Sequence, residues 1–158
     1  MSKLTPEDDQ RIETTLYQVL SDRTDEVVDT ALAARKSVLK AAPGCSEFVG
    51  ETYAVLDLFS FTGKHGQAFM HIATYANHVN LGFNHGTELA DPGGLLEGTG
   101  KKIRHVRLNS NSILKTKPMK ALIADAVAHA RKLAESQGGI QPARIGIRVG
   151  NKKTKKRK

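Results

Sequence analysis

Apolar residues recur along the first forty positions with the period of an amphipathic helix. Thr5 stands before Pro6, and Ile12, Leu16, Val19 and Leu20 follow at three- and four-residue spacing. A hydroxyl N-cap, a proline at the first helical position and that spacing predict a first helix ending near Leu20. Thr24 caps a second helix with Asp25 and Glu26 in its first turn and Val28, Leu32, Val38 and Leu39 along a broad apolar face; Pro43-Gly44 stops it. The period then changes to two. Tyr53 to Phe61 is apolar on both alternate rows, as in a strand covered on both faces.

Gln67 to Phe83 reads as an antiparallel hairpin. A tight turn at Ala76-Asn77 sets Thr74 opposite Val79, Ile72 opposite Leu81 and Met70 opposite Phe83, which collects the large aliphatic residues on one face. His71, Tyr75, His78 and Asn80 fall on the other, polar face. After the turn-rich stretch Asp91 to Lys102, Ile103 to Leu108 alternates again, with Val106 and Leu108 on one side and His105 and Arg107 on the other. A final helix starts at Thr116 to Pro118, buries Met119, Leu122, Ile123, Ala126, Ala130 and Leu133, and stops at Gly138-Gly139. Ile145, Ile147 and Val149 then suggest a short edge strand at 144–149. These elements predict an α+β fold, with an antiparallel sheet of about four to five strands flanked by helices and a disordered basic C-terminal tail.

Charge sharpens this picture once it is located. The net charge is +8, from 24 basic and 16 acidic residues, and the last fifteen positions hold Arg144, Arg148, Lys152, Lys153, Lys155, Lys156, Arg157 and Lys158 without an acid. The rest of the chain is formally neutral. A basic tail attracts polyanions without a shaped site, so Lys152, Lys153, Lys155, Lys156, Arg157 and Lys158 form a nucleic-acid candidate of a non-specific, salt-sensitive kind. The 158 residues suit one domain. No apolar run is long enough to span a bilayer and the first residues lack a signal-peptide core, so the reading is cytoplasmic, with no membrane partner. Cys45 is the single cysteine, which removes intrachain disulfides and thiolate metal clusters.

The run His78-Val79-Asn80-Leu81-Gly82-Phe83, then Gly86, Leu89, Asp91-Pro92, Leu95-Leu96-Glu97-Gly98-Thr99-Gly100-Lys101 and Arg104-His105-Val106, resembles the YdhG-like family, a bacterial group of domains of unknown function. The likeness spans roughly Thr24 to Ala134. It implies helices layered on an antiparallel sheet, and divides the chain into a helical extension at 1–22, the YdhG-like domain at 23–137 and the tail at 138–158. It carries no established activity. One relative is described as a frataxin-like iron chaperone, and iron of that kind needs a row of carboxylates on an early helix, where only Asp25, Glu26 and Asp29 stand.

Candidate chemistry narrows to binding. Gly98-Thr99-Gly100-Lys101 could cradle an anion, but Leu95 sits where a phosphate-binding loop needs glycine, and a strand rather than a helix follows. His65, His71, His78 and His85 recur at six or seven residues, yet the hairpin register separates His71 from the partner of His78 by about 13 Å, too far to share an ion. His78 and His105 could meet if their strands are neighbours. No histidine lies near Cys45 in sequence, and paired carboxylates with an acid–base role are missing, so neither catalytic residues nor cofactor nor metal ligands are assigned. The expectation is a non-enzymatic module binding a small ligand or metal through His71, Tyr75, His78, Gly98, Thr99, Gly100, Lys101, Arg104, His105 and Arg107. The alternative is nucleic-acid association through the tail, and a homodimer is compatible with either.

Overall fold

In the computed structural model, which describes residues 3–149, three helices and six strands follow one another as α1 (Pro6–Val19), α2 (Asp25–Ala41), β1 (Ser46–Glu51), β2 (Val55–Ser60), β3 (Met70–Thr74), β4 (Val79–Phe83), β5 (Arg104–Leu108), α3 (Lys117–Ser136) and β6 (Ile145–Arg148). The caps are those the sequence offers. The Thr5 hydroxyl accepts from the Asp8 N–H at 3.0 Å while Asp8 accepts from the Thr5 N–H at 3.2 Å, a reciprocal capping box. Thr24 caps α2 by accepting from the Val27 N–H, and Thr116 caps α3 through Met119. At the far end of α3 the chain turns through Gly138 and Gly139 at φ of +102° and +93°, a conformation that residues with a Cβ rarely adopt.

The sheet runs β5-β4-β3-β2-β1-β6, antiparallel throughout except for the parallel pair β1 and β6. The hairpin register is the one the alternation predicted: Met70 faces Phe83, Ile72 faces Leu81 and Thr74 faces Val79. The turn closes with the Tyr75 N–H donating to the His78 carbonyl at 2.8 Å. Val49, Phe59, Met70, Ile72, Leu81, Phe83 and Val106 form one buried face, and join Ile12 and Leu16 of α1, Leu20 at its C-cap, Ala34 and Val38 of α2 and Met119, Leu122 and Ile123 of α3 in a single core. No helix among the described residues is long and apolar enough to cross a membrane.

The sheet has six strands, not four to five. The strand the pattern missed is β1. Its first residues, Ser46 and Glu47, are polar yet buried, because Ser46 Oγ accepts from the Arg144 N–H at 3.0 Å and Glu47 is held by the Arg35 guanidinium of α2. Tyr53, expected in a strand, is 75% exposed in the β1–β2 turn, and β2 begins only at Val55. The buried stripe of α2 is also rotated from expectation. Val27, Ala31, Ala34 and Arg35 are buried beside Leu32 and Val38, while Val28 and Leu39 stay half-buried. On α3, Val127 and Ala134 are buried and Leu133 is half-buried.

Candidate functional site

The face of the sheet away from the core carries two cross-strand rows. One runs Gly146, Phe48, Leu58, His71, Gly82, His105, and the next runs Arg148, Gly50, Leu56, Ala73, Asn80, Arg107. Leu56, Leu58, His71, Asn80 and His105 are half-buried and Arg107 is exposed. Two glycines let rings lie flat on this surface. A Cβ on Gly82 would come within 2.1 Å of the His71 imidazole, and one on Gly146 within 2.7 Å of the Phe48 ring.

His71 is therefore fixed between β4 and the loop that follows. Its Nδ1 lies 2.9 Å from Asn84 Oδ1, and burial pushes its pKa below the ordinary histidine range against the opposing pull of that hydrogen bond. His105 stands on the far side of Gly82. Its backbone exchanges hydrogen bonds of 2.8 and 2.9 Å with Glu97, and its Nε2 is 3.8 Å from the Glu97 carboxylate. On this face the histidines placed in one row, on either side of Gly82, are thus His71 and His105; a separate pair, His85 and His129, lies with ring centroids 5.5 Å apart against α3. His78, the partner expected for His105, lies four residues along β4 from Gly82, about 13 Å in an extended strand. Cross-strand pairing to a glycine was the signal for that row.

His78 belongs to a different arrangement at the end of the sheet. Its ring stacks on Tyr75 at 4.6 Å between centroids, and Tyr53 lies 5.8 Å from Tyr75 on the other side. Slight burial, then the neighbouring positive charge of Arg107, lower the His78 pKa, and burial beside Tyr53 raises that of Tyr75. A polar cleft of about 100 Å³ opens beside it, lined by Glu26, Thr30, Asn77, His78, Arg107 and Asn109.

The glycine loop is stitched to the edge of the sheet rather than folded over the histidines. The Asp91 carboxylate accepts from the N–H groups of Leu95 and Leu96, both at 2.9 Å, and Thr87 bonds the carbonyls of Lys101 and Lys102. Gly98, at φ +126°, lies against Arg104 and His105, whereas Thr99, Gly100 and Lys101 are exposed. Arg104 alternates away from His105 and Arg107 and donates back to the carbonyls of Gly100 and Ile103. Of the ten candidates, His71, His105, Arg107 and Gly98 share one surface, Tyr75 and His78 adjoin it at the turn, and Arg104, Thr99, Gly100 and Lys101 belong to the loop.

Asn80 Oδ1 is buried on the open face without a hydrogen-bond partner. Asn84 and Glu97 are site residues that alternation did not single out, whereas Asn80 lies on the polar face where alternation put it. Asp25, Glu26 and Asp29 occupy the first turns of α2 and are exposed. Among the described residues no group of three or more histidine, cysteine, aspartate or glutamate side chains could hold a metal ion. Cys45 is buried, and desolvation followed by the charges of Glu47 and Asp57 pushes its thiol up to about 12, which keeps it protonated and unreactive at neutral pH. A wider cavity, about 620 Å³, lies elsewhere, between Leu4, Pro6, Asp9, Leu39, Pro43 and Cys45. The six basic tail residues from Lys152 to Lys158 lie outside the described residues. Comparison with family models, curated proteins and solved structures gives no match for this chain.

Proposed function

We propose that the chain is a non-enzymatic binding module, of the YdhG-like kind that its sequence resembles, which takes a small anionic ligand on the open face of its sheet. The observation that carries this reading is the row Phe48, Leu58, His71, Gly82, His105, in which glycine lets an imidazole lie flat beside a second imidazole, with Arg107 and the unpartnered Asn80 carbonyl in the next row. Flat apolar and ring surface suits the body of a planar ligand, and the histidine and arginine donors suit its anionic group. Iron is the poorer fit, since among the described residues no group of three or more histidine, cysteine, aspartate or glutamate side chains could hold it. The test is thermal unfolding with ferrous iron and with a panel of phosphorylated and carboxylated metabolites at millimolar concentration. A rise in melting temperature with an anion that is lost in His105→Ala supports the reading, because a ligand of the native state must stabilise it; no rise with any anion removes it.

A second reading, association with nucleic acid through the Lys/Arg-rich tail, is favoured by the string of rings formed by exposed Tyr53 and half-buried Tyr75 and His78, since bases stack on such rings. Its test is fluorescence anisotropy with labelled duplex and single-stranded oligonucleotides at low and physiological salt, using the full chain and a chain ending at Gly150. Binding that weakens with salt and disappears on truncation supports it, and equal binding by both chains rules the tail out.

A further inference from the structure

Beneath the opposite face of the sheet lies a set of ionisable groups that the open surface does not use. Glu47 and Asp57 are 0% and 3% exposed. Glu47 pairs with Phe59 and Val49 with Asp57, so the two carboxyl groups leave the same face of β1 and β2 at diagonal positions. From α2, Arg35 closes over them. Its Nε and Nη2 donate to the two oxygens of Glu47 at 2.8 and 3.0 Å, and the same Nη2 lies 2.7 Å from Asp9 Oδ1 of α1. Around the cluster β3 presents Ile72, β6 presents Ile145, the turn before β1 presents Cys45, and α3 contributes Arg131, whose guanidinium lies over the Phe61 ring.

Two buried carboxyl groups, Glu47 and Asp57, thus face one buried guanidinium, which Asp9 reaches from the solvent side with its own side chain 52% exposed. With both buried groups ionised the seam would carry a negative charge that Arg35 does not compensate, at a high desolvation cost. Neither oxygen of Asp57 has a donor. An ionised carboxylate with no donor is left unsatisfied, whereas a carboxylic acid brings its own hydrogen, and Glu47 is the acceptor at hand.

We propose that Asp57 keeps its proton in the folded protein at neutral pH and donates it in a hydrogen bond to Glu47, and that this proton latches α1 and α2 to the β1–β2 pair, so that its loss in alkaline solution loosens the seam. Burial first, and the adjacent Glu47 second, raise the Asp57 pKa well above the ordinary carboxylate range, in agreement with this geometry. The sign follows. A raised folded pKa contributes stability that is fully present below the unfolded value of about 3.9 and is lost as pH rises through the folded value. Across that window this one proton lowers the ratio of folded to unfolded protein about tenfold per pH unit.

The experiment compares the full chain with Asp57→Asn, whose amide supplies the donated hydrogen permanently. Proton release on unfolding is measured by calorimetry at pH 7.5 in two buffers of different ionisation enthalpy, together with melting temperatures from pH 5 to 9. The latch requires the wild type to release about one proton more than Asp57→Asn, and its melting temperature to fall with pH relative to the variant. Equal proton release and parallel pH profiles overturn it. Should Asp57→Asn not fold, release of well under half a proton by the wild type alone at pH 7.5 is the overturning result.

Discussion

The imidazole of His71 occupies the space that a side chain on Gly82 would need: a Cβ there would sit 2.1 Å from Cε1 and 2.2 Å from Nε2. The two residues face each other across β3 and β4, and the ring is also tied to Asn84, so it has no free direction in which to retreat. Gly82→Ala should therefore expel the ring from the open face and cost about 1–3 kcal/mol, the usual penalty of overpacking. Chemical denaturation gives the cost, and the His71 ring resonances report its position. An alanine variant with unchanged stability and unchanged His71 resonances would contradict the packing described.

Arg35 is 1% exposed and satisfies both oxygens of Glu47. Removing it in Arg35→Ala strands a buried carboxylate, and about 3–5 kcal/mol should be lost. Replacing both partners by apolar groups, as in Arg35→Met with Glu47→Leu, should recover much of that loss, because no orphaned charge remains. Urea midpoints of the two variants decide the matter. A double variant no better than Arg35→Ala would mean that the pair supplies something beyond mutual neutralisation.

His71 gives the opposite pH dependence to Asp57. Its folded pKa is lowered, so the unfolded chain takes up the proton more readily, and stability falls as pH drops from the unfolded value of about 6.5 through the folded one. Between pH 7 and pH 5 this contribution should lower the melting temperature of the wild type relative to a His71 variant, against the opposite slope that Asp57 contributes. In His71→Gln that contribution should vanish, and a variant with the same acid slope as the wild type would exclude His71 as its source.

Truncation should separate the tail from the fold. Glu47 N–H donates to the Arg144 carbonyl at 3.0 Å and β6 pairs with β1 from Glu47 to Gly50. A chain ending at Gly139 loses that strand and leaves the edge of β1 unpaired, so its melting temperature should drop by several degrees, whereas a chain ending at Gly150 should melt like the full one. Identical melting of both truncations would show that β6 contributes nothing to stability.

The hairpin of β3 and β4 was legible because its alternation has one solution: shifting the register by one residue would move Ile72 and Leu81 to the open face. The helices were legible from Thr5, Thr24 and Thr116 and from their stop signals. β1 was not, since Ser46 and Glu47 look like loop residues until the Arg144 N–H and Arg35 are brought to them from 98 and 12 residues away. The same non-locality hid the row that His71 and His105 share on the open face. His71 and His105 come together only through Gly82, a residue whose contribution is the absence of a side chain.

The parallel pairing of β6 with β1 also sets an exit direction. β1, β3, β5 and β6 all point toward the same rim of the sheet, the rim that bears Tyr53, Tyr75 and His78. Val149 hands the chain over at that rim rather than at the opposite one. An antiparallel last strand would have delivered it beside the β2–β3 connection instead. The described chain therefore leaves the sheet at the rim where Tyr53 is exposed, Tyr75 and His78 stack, and the polar cleft beside Arg107 opens.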